Sequence, residues 1–410
     1  MRDVQFLTRI HDALQVELTG TRHIIRFRSP LDYEEILELV REASDRYPLM
    51  RTLRPLPIIR GFSCRLQPNS LDSLYPRLVA EPDLCLGFTG GCSPETDANR
   101  RNTKAGSLSR QKVDGVKVPH VMPAPRPLAS LGNQPQIPWG IHEVKAPAVW
   151  NRTSGAKVKI AVIDTGIDYN HPDLRQAVAG GINLVEPYRS PLDDNGHGTH
   201  IAGTIAAAST GNGVFGVAPE AKIYAVKAFD QYGTAYVSDI VKGVEWCIEN
   251  HMQIINMSFG MKTPHKALEE ALRTAYRRGM VIVASSGNEG KIGDIDYPAR
   301  YRNVLAVGAT GKHQRVTAFS NRGRRIDIYA PGYKVISTWL NGCYQELSGT
   351  SMATSHVSGV IALLLSLRPG LSPLSVKRSL VRSATVVTTG RVTPRAGQIN
   401  AARCIRLGNR

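Results

Sequence analysis

Three short stretches carry side chains that could cooperate in nucleophilic catalysis. Asp164 ends the apolar run Val158-Lys159-Ile160-Ala161-Val162-Ile163. His197 stands between two glycines in Asp194-Asn195-Gly196-His197-Gly198-Thr199-His200. Ser351 sits in the small-residue turn Ser348-Gly349-Thr350-Ser351-Met352-Ala353, and an apolar segment through Leu365 follows at once. A carboxylate that orients an imidazole, and an imidazole that takes the proton of a serine, make a nucleophile of an otherwise weak hydroxyl. The start of a helix also offers free N–H groups and partial positive charge to an oxyanion forming beside Ser351. Read singly, each residue has an ordinary explanation: a turn carboxylate, a helix-opening histidine, an N-cap serine. A competing combination pairs His197 with His200 as metal ligands, but a hydrolytic zinc site needs a third ligand and usually a carboxylate base beside the pair, and neither is evident.

The elements needed to hold these residues are legible after residue 137. Strand-like runs at 158–163, 222–228, 253–257, 280–285, 304–307 and 325–329 alternate with helical patterns at 199–208, 238–250, 266–278, 351–366 and 372–383. That alternation predicts an α/β fold with a mostly parallel sheet covered by helices on both faces. Catalytic groups in such sheets gather at the carboxyl ends of the strands, which is where the segments holding Asp164, His197 and Ser351 fall. Ahead of this domain (137–406), residues 20–88 read as a small α+β module. Its strands are expected at 22–29, 58–66 and 84–86 and its helices at 32–46 and 71–79. Residues 89–136, rich in Gly, Ser, Asn, Arg and Pro, read as a flexible, cleavable linker.

The formal net charge of +17 comes without a nucleic-acid-binding motif, so it reads as a solvated basic surface and not as a specific nucleic-acid interface. The six cysteines are dispersed, with no CxxC pair, which implies neither a disulfide framework nor a metal site; Cys247 reads as a small buried hydrophobe. Residues 1–20 lack the uninterrupted apolar run of a secretory signal, and no segment reads as a membrane span. The default expectation is a cytoplasmic monomer.

The blocks His197-Gly-Thr-His-Ile-Ala-Gly-Thr204, Gly216-Val-Ala-Pro219, Ile255-Asn-Met-Ser258, Ser286-Gly-Asn-Glu289 and Gly349-Thr-Ser-Met352 closely resemble the subtilisin-like serine peptidases from about Ile137 to Ile405. The resemblance implies a serine endopeptidase in which Asp164 orients, His197 is the general base, Ser351 is the nucleophile and Asn288 donates to the oxyanion. A catalytically dead relative that binds peptides is the alternative. By the same resemblance Ser258, Phe259, Gly260, Ser286 and Gly287 line the pocket for the residue before the cut. Asp296 lies at that pocket's floor, where a carboxylate would favour Lys or Arg; otherwise Asp296 is a surface-loop aspartate. The second histidine, His200, would be structural. Structural calcium is implied at Asp173 and the loop formed by Ala208, Thr210, Asn212 and Val214, although Thr210 stands where relatives often carry asparagine. Ser355 replaces the usual proline, within the first helical turn. The N-terminal module resembles the family's inhibitory propeptide, which would make it a partner of the active site and the whole chain a self-processed zymogen; an unrelated adaptor is the other reading. Resemblance also leaves export open.

Overall fold

The computed structural model describes residues 21–42, 52–66, 78–87, 125–127, 134–209, 211–388 and 395–407. The chain divides into two compact units. The smaller contains β1 (Thr21–Phe27), α1 (Pro30–Glu42), most of β2 (Arg54–Leu56), β3 (Gly61–Leu66) and β4 (Leu78–Pro82). The sheet runs β2-β3-β1-β4, with β1 antiparallel to both β3 and β4. Tyr33 and Ile36, one turn apart on α1, are buried, and the Tyr33 ring packs against Phe27 and Phe62 of the sheet. Arg22–Asp83 (3.0 Å) and Arg26–Glu81 (2.8 Å) pair across the β1–β4 side. The strand expected over 58–66 begins later, because Pro57–Ile59 forms a 3₁₀ turn and proline has no N–H to give a ladder. Leu78 and Val79, read as the end of a helix, lie in β4; the rest of that helix falls outside the described residues, as do residues 43–46 of the first one.

The larger unit is a seven-stranded sheet. After the short strand β5 (Cys85–Gly87) and the one-turn helix α2 (Trp139–Glu143) come β6 (Lys159–Asp164), β7 (Val178–Asn183), α3 (His197–Ala206), β8 (Lys222–Lys227), β9 (Thr234–Tyr236) and α4 (Val237–Glu249). Then follow β10 (Ile254–Met257), α5 (Lys266–Arg277), β11 (Val281–Ser285), β12 (Leu305–Thr310), β13 (Ile328–Pro331), β14 (Val335–Thr338) and β15 (Tyr344–Leu347). Helices α6 (Thr350–Leu367), α7 (Pro373–Ser383) and α8 (Ala401–Leu407) close the unit.

The strand order is β13-β12-β11-β10-β6-β8-β7, and every neighbouring pair is parallel. Strands β10, β11 and β12 are buried along their whole length, which is why they read as unbroken apolar runs. The order reverses at β6: the chain goes from β6 out to the edge strand β7 and back to β8 on one side, then crosses to β10 and builds outward to β13 on the other. A crevice forms beyond the carboxyl ends at such a reversal, and Asp164 is the last residue of β6.

Helix α6 lies under this crevice. Its residues from Thr350 to Leu365 are all buried, packed against β10 to β13 and α3. Contrary to the sequence reading, it is long and apolar enough to cross a membrane; 89% of it is enclosed, so its apolar surface is spent on the core of the sheet. Cys247 is fully buried on α4, and no disulfide forms among the described cysteines. Strand β7 was not foreseen. Its Val-Ala-Gly-Gly-Ile-Asn sequence has weak strand propensity, and Gly181 is needed because a Cβ there would lie 2.1 Å from the Ala225 carbonyl oxygen.

Close packing also joins α3 to the end of β6. A Cβ on Gly198 would stand 2.1 Å from the Gly166 carbonyl oxygen and 3.2 Å from Asp164 Cβ. Gly198→Ala should therefore push α3 off the Asp164 turn and cost about 1–3 kcal/mol of stability. Urea unfolding in a Ser351→Ala background measures this without self-digestion.

Candidate active site

Asp164 is fully buried at the end of β6. Its Oδ1 accepts the Thr165 N–H at 2.8 Å, while Ala228 and Phe229 donate to its main-chain carbonyl, so the β6–β8 pair fixes both backbone and carboxylate. His197 opens α3 directly opposite. Helix α3 is capped from outside by Asp193, whose carboxylate accepts the N–H groups of Asn195 (3.0 Å), Gly196 (3.0 Å) and Thr199 (2.9 Å) and the Thr199 hydroxyl (2.6 Å). Gly198 N–H donates to Thr165 Oγ1, tying α3 to the Asp164 turn.

The imidazole of His197 meets Asp164 through Nδ1, 2.8 Å from Oδ1 and 3.0 Å from Oδ2. Facing a carboxylate, Nδ1 carries the proton, and the neutral ring keeps Nε2 as its basic nitrogen. Burial alone disfavours the imidazolium; the charge and hydrogen bond of Asp164 outweigh it and hold the His197 pKa above its usual 6.5. His200 is the opposite case. Burial pushes it down to about 3. Its Nε2–H is shared between the carbonyls of Val335 and Gln345, each at 3.0 Å. Nε2 of His200 is thus committed to main-chain carbonyls, and no group of three His, Cys, Asp or Glu that could hold a metal occurs among the described residues.

Ser351 lies in the first turn of α6 and is 8% exposed. Its hydroxyl donates to the Ser258 carbonyl at 2.9 Å, at the carboxyl end of β10. Asn288 follows β11 and is exposed. Its Oδ1 accepts both the N–H and the hydroxyl of Thr350 at 2.9 Å. A main-chain N–H can only donate, so the amide orientation is settled and Nδ2 is turned the other way. Nδ2 of Asn288 and the backbone nitrogen of Ser351 lie 3.6 and 3.8 Å from the point where a Cβ on Gly349 would sit, so two donors border one small hollow. Thr350 was not singled out from the sequence; its signal is its place in the Gly-Thr-Ser-Met block.

The segments 258–260 and 285–287 leave adjacent strands β10 and β11 and flank this hollow. Asp296 lies between them, 6% exposed, its Oδ2 only 2.8 and 2.5 Å from where Cβ atoms on Gly260 and Gly287 would be. It is therefore not a surface-loop aspartate. Nor does it stand alone: Lys262 Nζ, which sequence reasoning did not foresee, lies 2.7 Å from Oδ2 and 2.5 Å from Glu289 Oε1. Burial pushes the Asp296 carboxyl up against the opposing pull of Lys262.

Residues 155–399 match the family model described as the subtilase family. The chain is 45% identical over 280 residues to the M-protease of Shouchella clausii (strain KSM-K16), covering 68% of this chain and 73% of that protein. It is 47% identical over 250 residues to subtilisin Savinase of Lederbergia lenta, covering 61% of this chain and 91% of that one. The alkaline protease of Alkalihalobacillus alcalophilus is 44% identical over 280 residues, 68% of this chain and 73% of its own. The chain belongs to the subtilase family.

This subtilase is a serine-type endopeptidase, and its kinship supports neither a catalytically dead peptide binder nor a cytoplasmic default. The proline replacement at Ser355 lies one turn further into the helix than the sequence reading placed it: α6 starts at Thr350, and the fully buried Ser355 hydroxyl donates to the Ser351 carbonyl at 3.0 Å. The hydroxyl thus adds a bond where a proline would have removed an N–H.

Around Asp173 the oxygen donors suit a hard cation. The carboxylate is buried, with Oδ2 accepting the Val214 N–H and the Tyr344 hydroxyl, both at 2.8 Å, and Oδ1 accepting nothing among the described residues. The carbonyls of Ala208, Asn212 and Val214 likewise accept no hydrogen bond among the described residues; Thr210 lies outside them. Three carbonyl oxygens and one carboxylate oxygen accept no hydrogen bond among the described residues, and all four are hard donors.

Two pH effects follow. His197, held above 6.5 by Asp164, should titrate with a midpoint above that value, as read by histidine NMR. Stability behaves differently. His200 and His356, the latter pushed down to about 4 by burial, stay neutral in the folded chain while the unfolded chain protonates near 6.5. Folded pKa values below the unfolded one mean stability is lost as pH falls from 6.5 toward 4, and Tm measured across that range should drop.

Proposed function

We propose that this subtilase cuts peptide bonds through Asp164, His197 and Ser351, with Asn288 and the Ser351 N–H stabilising the oxyanion. The carrying observation is the Asp164–His197 contact, which fixes the imidazole tautomer at the carboxyl end of β6, beside the end of β10 where the Ser258 carbonyl holds Ser351 Oγ. On this reading, Ser351 Oγ turns from the Ser258 carbonyl and gives its proton to His197 Nε2 as it attacks the peptide carbon. The carbonyl oxygen takes the negative charge and sits in the Asn288 hollow. Collapse of that adduct breaks the C–N bond as the proton on Nε2 passes to the leaving amine, and water repeats the sequence to release the acyl group. No metal takes part in these steps. Removing an amide that serves such an oxyanion costs about 100- to 1,000-fold in turnover in a subtilisin, and Asn288→Leu should lose a similar factor in kcat with KM little changed.

Self-processing belongs to the same proposal. Leu86 and Gly87 group with the larger unit, and the strand holding them pairs with β9. Main-chain pairing of an extended segment is how a peptide would be held, and the chain's own N-terminal module is read as an inhibitor removed by cleavage within 89–136. A fluorophosphonate probe should label the native protein and not Ser351→Ala, and only the native protein should shed roughly its first 130 residues, as read by mass spectrometry. An unlabelled native protein contradicts the nucleophile assignment. For calcium, we propose Asp173 with the Ala208, Asn212 and Val214 carbonyls as ligands and a purely structural role. Chelator should then lower Tm in the native protein but not in Asp173→Asn.

A further inference from the structure

The slot between segments 258–260 and 285–287 has a reacting end and a charged end. At the first, the Ser258 carbonyl holds Ser351 Oγ and the Gly287 N–H reaches Thr350 Oγ1 at 3.3 Å. At the second, Asp296 Oδ2 fills the space that Gly260 and Gly287 leave open by having no side chain. A substrate residue whose carbonyl lies at the Ser351 end directs its side chain toward one neighbouring pocket, and this slot is walled by the same backbone that positions the serine.

The carboxylate at its end is not free to act as an anion. The Asp296 side chain is 7% exposed, its Oδ2 is paired with Lys262 Nζ at 2.7 Å, and its Oδ1 accepts no hydrogen bond among the described residues. Lys262 is half exposed and is also paired with Glu289 Oε1, while Glu289 Oε2 takes the Asn321 amide at 2.8 Å. Two carboxylates share one ammonium. A basic substrate side chain arriving at Asp296 would find Oδ2 already occupied by Lys262 and a like charge within a few ångströms, so it would have to displace the ammonium to use the one negative charge left over; an uncharged one would leave the group undisturbed.

We infer that Lys262 is the specificity-determining residue of this pocket: as an internal counter-ion it masks Asp296, so the intact enzyme cuts after uncharged residues and without Lys262 would select Lys or Arg. The inference rests on the peptidase reading above. Lys262 can withdraw onto Glu289, its second partner, so the masking restrains basic residues without abolishing their cleavage.

The test compares kcat/KM for two peptides that differ only in Arg or Leu before the cut. In the native enzyme the Arg/Leu ratio should be roughly one or less; Lys262→Met should raise it about tenfold or more, and adding Asp296→Asn should cancel the gain. Lys262→Gln, which keeps a polar side chain, should shift the ratio the same way and serves if the methionine variant does not fold. An unmoved ratio in both Lys262 variants, a gain that survives Asp296→Asn, or a native enzyme already strongly selective for Arg overturns the inference. Fluorophosphonate labelling of the same samples separates the two claims: unlabelled native protein sinks the peptidase reading, whereas labelled protein with an unmoved ratio sinks only the role of Lys262.

Discussion

A buried carboxylate against an imidazole, Asp164 to His197 at 2.8 Å, is the contact on which the arrangement of the site depends. A fully buried anion is costly unless paired and hydrogen-bonded. Here the compensation comes from the Thr165 N–H and the His197 Nδ1–H, and both require the end of β6 and the start of α3 to stay where they are. Charge, tautomer and helix position are therefore one constraint. If the helix moves, the carboxylate loses its partner and the imidazole loses its orientation together.

The rest of the larger unit reads as support for that contact. Placing β6 at the strand-order reversal opens the crevice; β10 and β11, its neighbours on one side, deliver the Ser258 carbonyl and Asn288; α6 runs beneath them and delivers Ser351. Thr350 does two jobs here, holding Asn288 by its oxygen and receiving the Gly287 N–H, so the hollow beside Ser351 has walls of fixed polarity. Histidines around this frame differ by environment. His197, partly exposed, has a carboxylate and is raised, while the fully buried His200 and His356 have no carboxylate partner and are depressed by burial.

Much of this was legible in the sequence, for physical reasons. Strands buried on both faces must be apolar throughout, which makes β6 and β10 to β12 visible, and glycines such as those flanking His197 mark where backbones approach closely. What the sequence hid were relations across distance. Asp193 caps α3 from four residues before it, which no local cap pattern reports. Lys262 reads as one more surface lysine in a basic chain, yet it sits between Asp296 and Glu289 because the loop after β10 that carries it meets the β11–β12 connection that carries both carboxylates. Weak strands such as β7, and the 3₁₀ turn at Pro57, escaped because edge pairing and a missing N–H are tertiary and local effects that periodicity does not encode.

The central claim is that Asp164 sets the protonation and orientation of His197 against the pull of burial. Titration of His197 by nitrogen NMR on histidine-labelled Ser351→Ala protein, with and without Asp164→Asn, tests it most directly. The account predicts a His197 pKa above 6.5 that falls when the charge of Asp164 is removed. A pKa that stays the same in Asp164→Asn, or lies below 6.5 with Asp164 present, would contradict it.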